Sequence, residues 1–212
     1  MIYLIGGPPK CGKTTLAKAV SKKFGIPWIS ADTLQVIGRA YEPIEKRDLR
    51  YPHSAIRKGH RDNDAFYQKY SPKEIVSAYT KQAKATALAI DMMAICEITD
   101  GNDYIIEGYQ VEPALVAKLI KKYGKEKFSS IFLSKCDPER FVQDLKKSTT
   151  PNDWILTNTK NEETFIKIAE MVKLYSAYFK NEAEKYNFTH LDLSKNFESS
   201  LKKLSAAFVD SA

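Results

Sequence analysis

The chain has 212 residues, of which 43% are hydrophobic and 28% charged, and 33 basic against 26 acidic side chains leave a net charge of +7. That length predicts one domain, residues 1–212, with room for a sizeable core. No apolar run approaches the roughly 18 residues of a membrane span, and the short apolar start runs into a glycine-rich loop rather than a cleavage site.

Cys11, Cys96 and Cys136 are widely spaced and form neither a disulfide framework nor a metal pattern, which fits a cytoplasmic location. The basic surplus favours anionic partners such as phosphorylated metabolites. There is no basic tail and no basic stripe interleaved with aromatics, so nucleic acid is not the leading reading.

In chain order, Ile2–Ile5 reads as a short buried strand. A helix over 13–24 follows, with Leu16, Ala17, Val20 and Phe24 on one face, and Gly25 stops it. Pro27–Ser30 is a second strand, and Asp32 opens a helix through about Tyr41. Residues 42–63 show no clean period. They carry Lys46, Arg47, Arg50, Arg57, Lys58 and Arg61, the densest arginine run in the chain. Ser71-Pro72-Lys73-Glu74 starts a long helix that Gly101 ends, with Ser as cap, Pro at the first position and Glu at the third.

Asp103–Ile106 is a third strand, cut off by Glu107-Gly108, and Ala114–Tyr123 is a helix. Ile131–Leu133 is the fourth strand, and Pro138 begins a helix through Lys147. Residues 148–161, "STTPNDWILTNTKN", read as a polar loop. A long amphipathic helix follows, carrying Phe165, Ile168, Val172, Tyr175 and Phe179. Phe188–Leu193 is the fifth strand and Phe197–Phe208 the last helix. Short Ile-rich strands alternating with helices predict an α/β fold, a parallel sheet covered on both faces.

The stretch between the first strand and the first helix, "YLIGGPPKCGKTT", carries the sharpest signal. Gly7-Pro8-Pro9-Lys10-Cys11-Gly12-Lys13-Thr14, followed by Thr15, is the phosphate-binding loop signature in its required setting. Its glycines let the backbone approach an anion, and successive N–H groups form a nest for phosphate oxygens. The following helix adds its free N–H groups and the positive end of its dipole. Lys13 supplies a charge for the β- and γ-phosphates, and Thr14 a hydroxyl for Mg²⁺. A nucleoside triphosphate, ATP, is the expected ligand.

Two acids stand where strands end. Asp32 follows the second strand, beside the nucleotide, where a carboxylate can take a proton from a substrate hydroxyl or hold Mg²⁺ through water; it can also cap a helix. Glu107 ends the third strand, where phosphate-loop enzymes place their Mg²⁺-associated acid. Its expected roles are metal ligand, substrate contact or arginine partner. The helix after strand four and the polar segment behind it, about 140–162, read as a lid. There Arg140, Lys146 and Lys147 are candidates to stabilise charge on a transferring phosphoryl group, with Arg140 the first choice.

"GGPPKCGKTT", "WISADTL" and "YIIEGYQVEP" resemble the P-loop kinases of small metabolites, and within them the group labelled 2-phosphoglycerate kinase-like, near the zeta-toxin-like kinases. The resemblance implies a three-layer fold around a five-stranded parallel sheet ordered 2-3-1-4-5. It also implies Mg²⁺-ATP phosphotransfer to a small phosphorylated or hydroxyl metabolite, with Lys13 and Thr14 on ATP and Mg²⁺ and Asp32 at the substrate. Residues 42–70 then form the acceptor-binding insertion, with Arg57, Lys58 and Arg61 placed to bind an acceptor carboxylate or phosphate beside Asp32 and Glu107. The alternatives are a nucleotide, nucleotide-sugar or nucleic-acid 5′-end acceptor, or a nucleotide-binding switch protein.

Overall fold

The computed structural model describes residues 1–149 and 153–195, together with Ser200 and Leu204. Five strands, β1 (Ile2–Gly6), β2 (Trp28–Ser30), β3 (Tyr104–Gly108), β4 (Phe128–Ser134) and β5 (Thr189–Asp192), form one sheet. All pairs are parallel and the order is β2-β3-β1-β4-β5, as the resemblance implies. Ile5 pairs with both Glu107 and Ile131, so the carboxyl ends of the three central strands are level.

The period of two along β1 sorts its side chains into two cores. Ile2 and Leu4 face one, Tyr3 and Ile5 the other. On the second face lies α1 (Lys13–Phe24), through Leu16, Ala17 and Val20. Gly25 ends it in the left-handed conformation, its N–H bonded to the carbonyl of Ser21. The opposite face is covered by α6 (Pro72–Thr99), α7 (Pro113–Tyr123), α8 (Pro138–Lys146) and α10 (Glu162–Lys185). The expected capping box at Ser71 and Glu74 is present on α6. Tyr79 of α6 and Tyr175 of α10 stack at 5.8 Å, joining the two long helices.

Elsewhere the chain departs from the sequence reading. Residues 42–63, which show no clean period, are largely helical. After α2 (Ala31–Tyr41) come α3 (Ile44–Arg50), α4 (Pro52–Arg57) and α5 (Asn63–Lys69), each of seven residues or fewer. Helices that short complete too few turns to show a period. Within the expected loop 148–161 lies a single turn, α9 (Trp154–Thr157). β4 begins at Phe128 rather than Ile131, because the half-buried Ser129 and Ser130 mask its start. The last expected helix, Phe197–Phe208, lies outside the described residues. Among the described residues, no helix is long and apolar enough to cross a membrane.

Candidate active site

The phosphate loop leaves the carboxyl end of β1 and enters α1. Gly7 has φ 139°, and a Cβ there would sit 2.2 Å from the carbonyl oxygen of Leu133, so only glycine fits. Gly12 precedes α1 with φ 97°. Lys13 is buried, and its Nζ donates to the carbonyl of Pro8 at 2.7 Å. The Cys11 thiol lies 3.0 Å from the same carbonyl, and burial pushes its pKa up, which makes it a packing group rather than a nucleophile. Lys10, at the crest of the loop, pairs with Asp153 at 2.7 Å. That aspartate is buried, and its other oxygen caps α9 through the N–H of Ile155 at 3.0 Å. The expected lid therefore rests directly on the phosphate loop.

Thr14 Oγ1 donates to Glu107 Oε1 at 2.9 Å. This joins the loop to the end of β3, as level strand ends allow. Glu107 is only 3% exposed. Burial raises its pKa, against the pull of Lys13 and of hydrogen bonds from Thr14 and Ser30. Its partners are thus hydroxyls rather than an arginine. Thr14 and Glu107 present hard oxygen donors beside the loop, a set that suits Mg²⁺, which binds one or two protein oxygens and takes its remaining ligands from phosphates and water.

Asp32 stands on the other side of Glu107, close enough that its charge contributes to the raised pKa there. It does not cap α2. Ser30 does, accepting from the N–H of Asp32 at 3.3 Å. The Asp32 carboxylate instead accepts from Gln110 Nε2 at 2.7 Å. From there a chain of neutral groups runs outward. Gln110 also donates to Gln35 Oε1 at 3.0 Å, and Tyr109 donates to the same oxygen at 2.5 Å. Gln82 donates to the Tyr109 hydroxyl at 2.8 Å and accepts from the N–H of Ser54 on α4 at 2.8 Å. Beside this chain His53 stacks on Tyr79 at 3.7 Å, and burial lowers the imidazole pKa to about 3, so it is neutral at pH 7.

One cleft of about 1120 Å³ connects these groups. Pro9, Lys10, Gly12, Lys13, Thr14 and Thr15 line one end, and Asp32, Gln35, Tyr79, Gln82 and Tyr109 the other. Arg140 and Lys147 also reach it, Arg140 half exposed and paired with Asp144 at 3.1 Å. Lys146 is turned away toward Glu162 at 2.7 Å. Lys135, just after β4, lines the cleft and pairs with Asp144 at 3.1 Å; sequence reasoning missed it. Lys58 and Arg61 are exposed and outside the cleft lining. Arg57 lines a separate small cavity behind Tyr79 and Trp154.

A family profile matches residues 3–137, from β1 through the loop after β4. The chain belongs to the ATPase family associated with various cellular activities (AAA). The match takes in the phosphate loop, Asp32, Glu107 and Lys135 of this AAA chain and stops before α8. No curated protein sequence matches it. Among solved structures, a sugar kinase from a Janibacter species is 14% identical, with 99% of this chain and 94% of that one covered at a TM-score of 0.56. A gluconokinase from Sinorhizobium meliloti is 11% identical over 99% and 92%, at 0.54. A shikimate kinase from Bacteroides thetaiotaomicron is 15% identical over 98% and 97%, at 0.50. These likenesses establish a shared fold along nearly the whole chain.

Proposed function

We propose that the protein is a phosphotransferase that moves the γ-phosphoryl group of ATP, with Mg²⁺, to a hydroxyl of a small metabolite. The carrying observation is the two-ended cleft, with a phosphate loop at one end and a solvent-accessible carboxylate, Asp32, at the other. A hydrolase or switch needs only the first end. The similar folds titled sugar kinase, gluconokinase and shikimate kinase support the same reading.

In this reading the loop N–H groups and Lys13 hold the β- and γ-phosphates. Thr14 and Glu107 would hold Mg²⁺, which when bound neutralises phosphate charge. Asp32 orients the acceptor hydroxyl and takes its proton. Phosphoryl transfer has a loose transition state, so positioning and charge stabilisation are the protein's main contribution. Lys135 and Arg140 supply cations on the lid side. Residues 42–70 serve as the acceptor-binding insertion and 140–162 as the lid of one domain, and the protein works in the cytoplasm. The acceptor is a small anionic metabolite, with 2-phosphoglycerate the candidate from sequence, supported by the net charge of +7.

The test is ADP release from Mg²⁺-ATP across glycerate, 2-phosphoglycerate, gluconate, shikimate, glycerol, glucose, nucleosides and nucleotide-sugars, with Lys13→Ala as control. Turnover that one acceptor raises and the control abolishes supports the reading. One slow rate whatever is added overturns it in favour of a switch.

A further inference from the structure

Behind the acceptor end of the cleft lies a second cavity of about 170 Å³, walled by His53, Arg57, Phe66, Tyr67, Tyr79 and Trp154. His53, Tyr79 and Trp154 also line the main cleft, so the two spaces share a wall. Arg57 is fixed within it. Its Nη2 donates to Asn63 Oδ1, and the guanidinium lies 4.4 Å from the Phe66 ring centroid and 5.6 Å from that of Trp154. Asn63 is fully buried and in turn donates to the Trp154 carbonyl at 3.3 Å and to Thr159 Oγ1 at 2.9 Å. The guanidinium is therefore pinned between the insertion and the lid.

What it lacks is an anion. Nη1 is buried with no hydrogen-bond partner among the described residues. No carboxylate there lies within ion-pair distance of it. Burial pushes the Arg57 pKa down, with Tyr79, Tyr67 and Asp62 acting the other way. Arg57 is half-buried, but its Nη1 is taken out of water with no counter-charge, which costs stability, and its planar fork matches a carboxylate.

Resting on the phosphotransferase reading above, we propose that this cavity seats the carboxylate of a small hydroxy acid on Arg57 while its hydroxyl reaches Asp32. Tyr79 and His53 line both spaces, so an acceptor reaching from Arg57 to Asp32 lies against their ring faces. The seat offers one planar fork and aromatic walls. It has no second charged group among its lining residues, whereas a tetrahedral dianion recruits several cationic donors. That favours a carboxylate over a phosphate at this end, and leaves Lys58 and Arg61 as solvated charges.

The test is equilibrium binding read by Trp154 fluorescence in a Trp28→Phe background, since the chain has two tryptophans. The probes are glycerate, gluconate and shikimate, against glycerol and glucose without the acid and 2-phosphoglycerate with an added phosphate. The expected result is saturation by at least one carboxylate, weakened roughly 10- to 100-fold by Arg57→Gln. Arg57→Lys keeps the charge without the fork, should weaken binding less, and carries the test if the glutamine variant does not fold. No saturation by any carboxylate, equal binding of a neutral probe, tighter binding of 2-phosphoglycerate, or no effect of the substitutions overturns the seat. ADP release on the same samples separates the two ideas. A carboxylate that binds through Arg57 but is never phosphorylated keeps the seat and refutes phosphotransfer. An acceptor phosphorylated equally well without Arg57 does the reverse.

Discussion

Glu112 offers a sharp test of how this fold handles a buried charge. It stands before α7, 6% exposed, with Tyr178 of α10 donating to its Oε1 at 3.0 Å. Burial lifts its carboxyl from the ordinary 4.5 to about 7, against the Tyr178 hydrogen bond and Lys84, with Glu182 adding to the rise. The folded chain thus holds this proton more tightly than the unfolded chain does. Stability contributed by Glu112 is complete below pH 4.5, falls as pH rises to about 7, and is flat beyond. At about 1.4 kcal/mol per pH unit, the loss is about 3 kcal/mol. Glu112→Gln keeps an acceptor for Tyr178 and removes the charge. The variant should match the parent near pH 4.5 and melt roughly 6–12 °C higher above pH 7, given about 2–4 °C per kcal/mol for a chain of this size. Differential scanning calorimetry across that range reads the difference. A gain that does not change with pH, or a loss above pH 7, would refute the assignment of a buried carboxylate penalty.

Three further outcomes follow from the site. Glu107→Gln keeps an acceptor for Thr14 but removes the charge offered to a metal; turnover should drop roughly 10- to 100-fold with no fall in melting temperature, checked by ADP release and calorimetry. Gln110→Ala frees the Asp32 carboxylate from the neutral chain; kcat should fall roughly tenfold while ATP affinity, measured by titration calorimetry, stays unchanged. Gly7→Ala forces a Cβ against the Leu133 carbonyl at positive φ; it should lower the melting temperature and abolish the further stabilisation that ATP gives.

What the sequence revealed and what it hid have the same cause. β1, the phosphate loop and α1 form one continuous stretch whose spacing is itself the signal, so Lys13 and Thr14 were legible. Asp32 and Glu107 were legible because acids at strand ends share an edge in any parallel sheet. The Gln35–Tyr109–Gln82 chain was not, since α2, the turn after β3 and α6 supply its members from far apart in sequence and carboxamides leave no motif. Nothing local pairs Lys10 with Asp153 or sets Arg57 beneath Trp154. Those contacts exist only once the segment around Asp153 and Trp154 folds back over the phosphate loop and α4, and α3, α4 and α5 are too short to show a period. Lys135 was hidden because a lysine just past a strand reads as an ordinary surface residue, although the cleft closes over it.

The central claim is transfer rather than hydrolysis, and the fate of the γ-phosphate decides it. The protein would be incubated with ATP labelled at that phosphate, Mg²⁺ and the acceptor that most raises ADP release, beside Lys13→Ala. The account predicts label in a phosphate ester of the acceptor, formed in step with ADP and absent from the variant. Label appearing only as inorganic phosphate, at the same rate with and without acceptor, would contradict it.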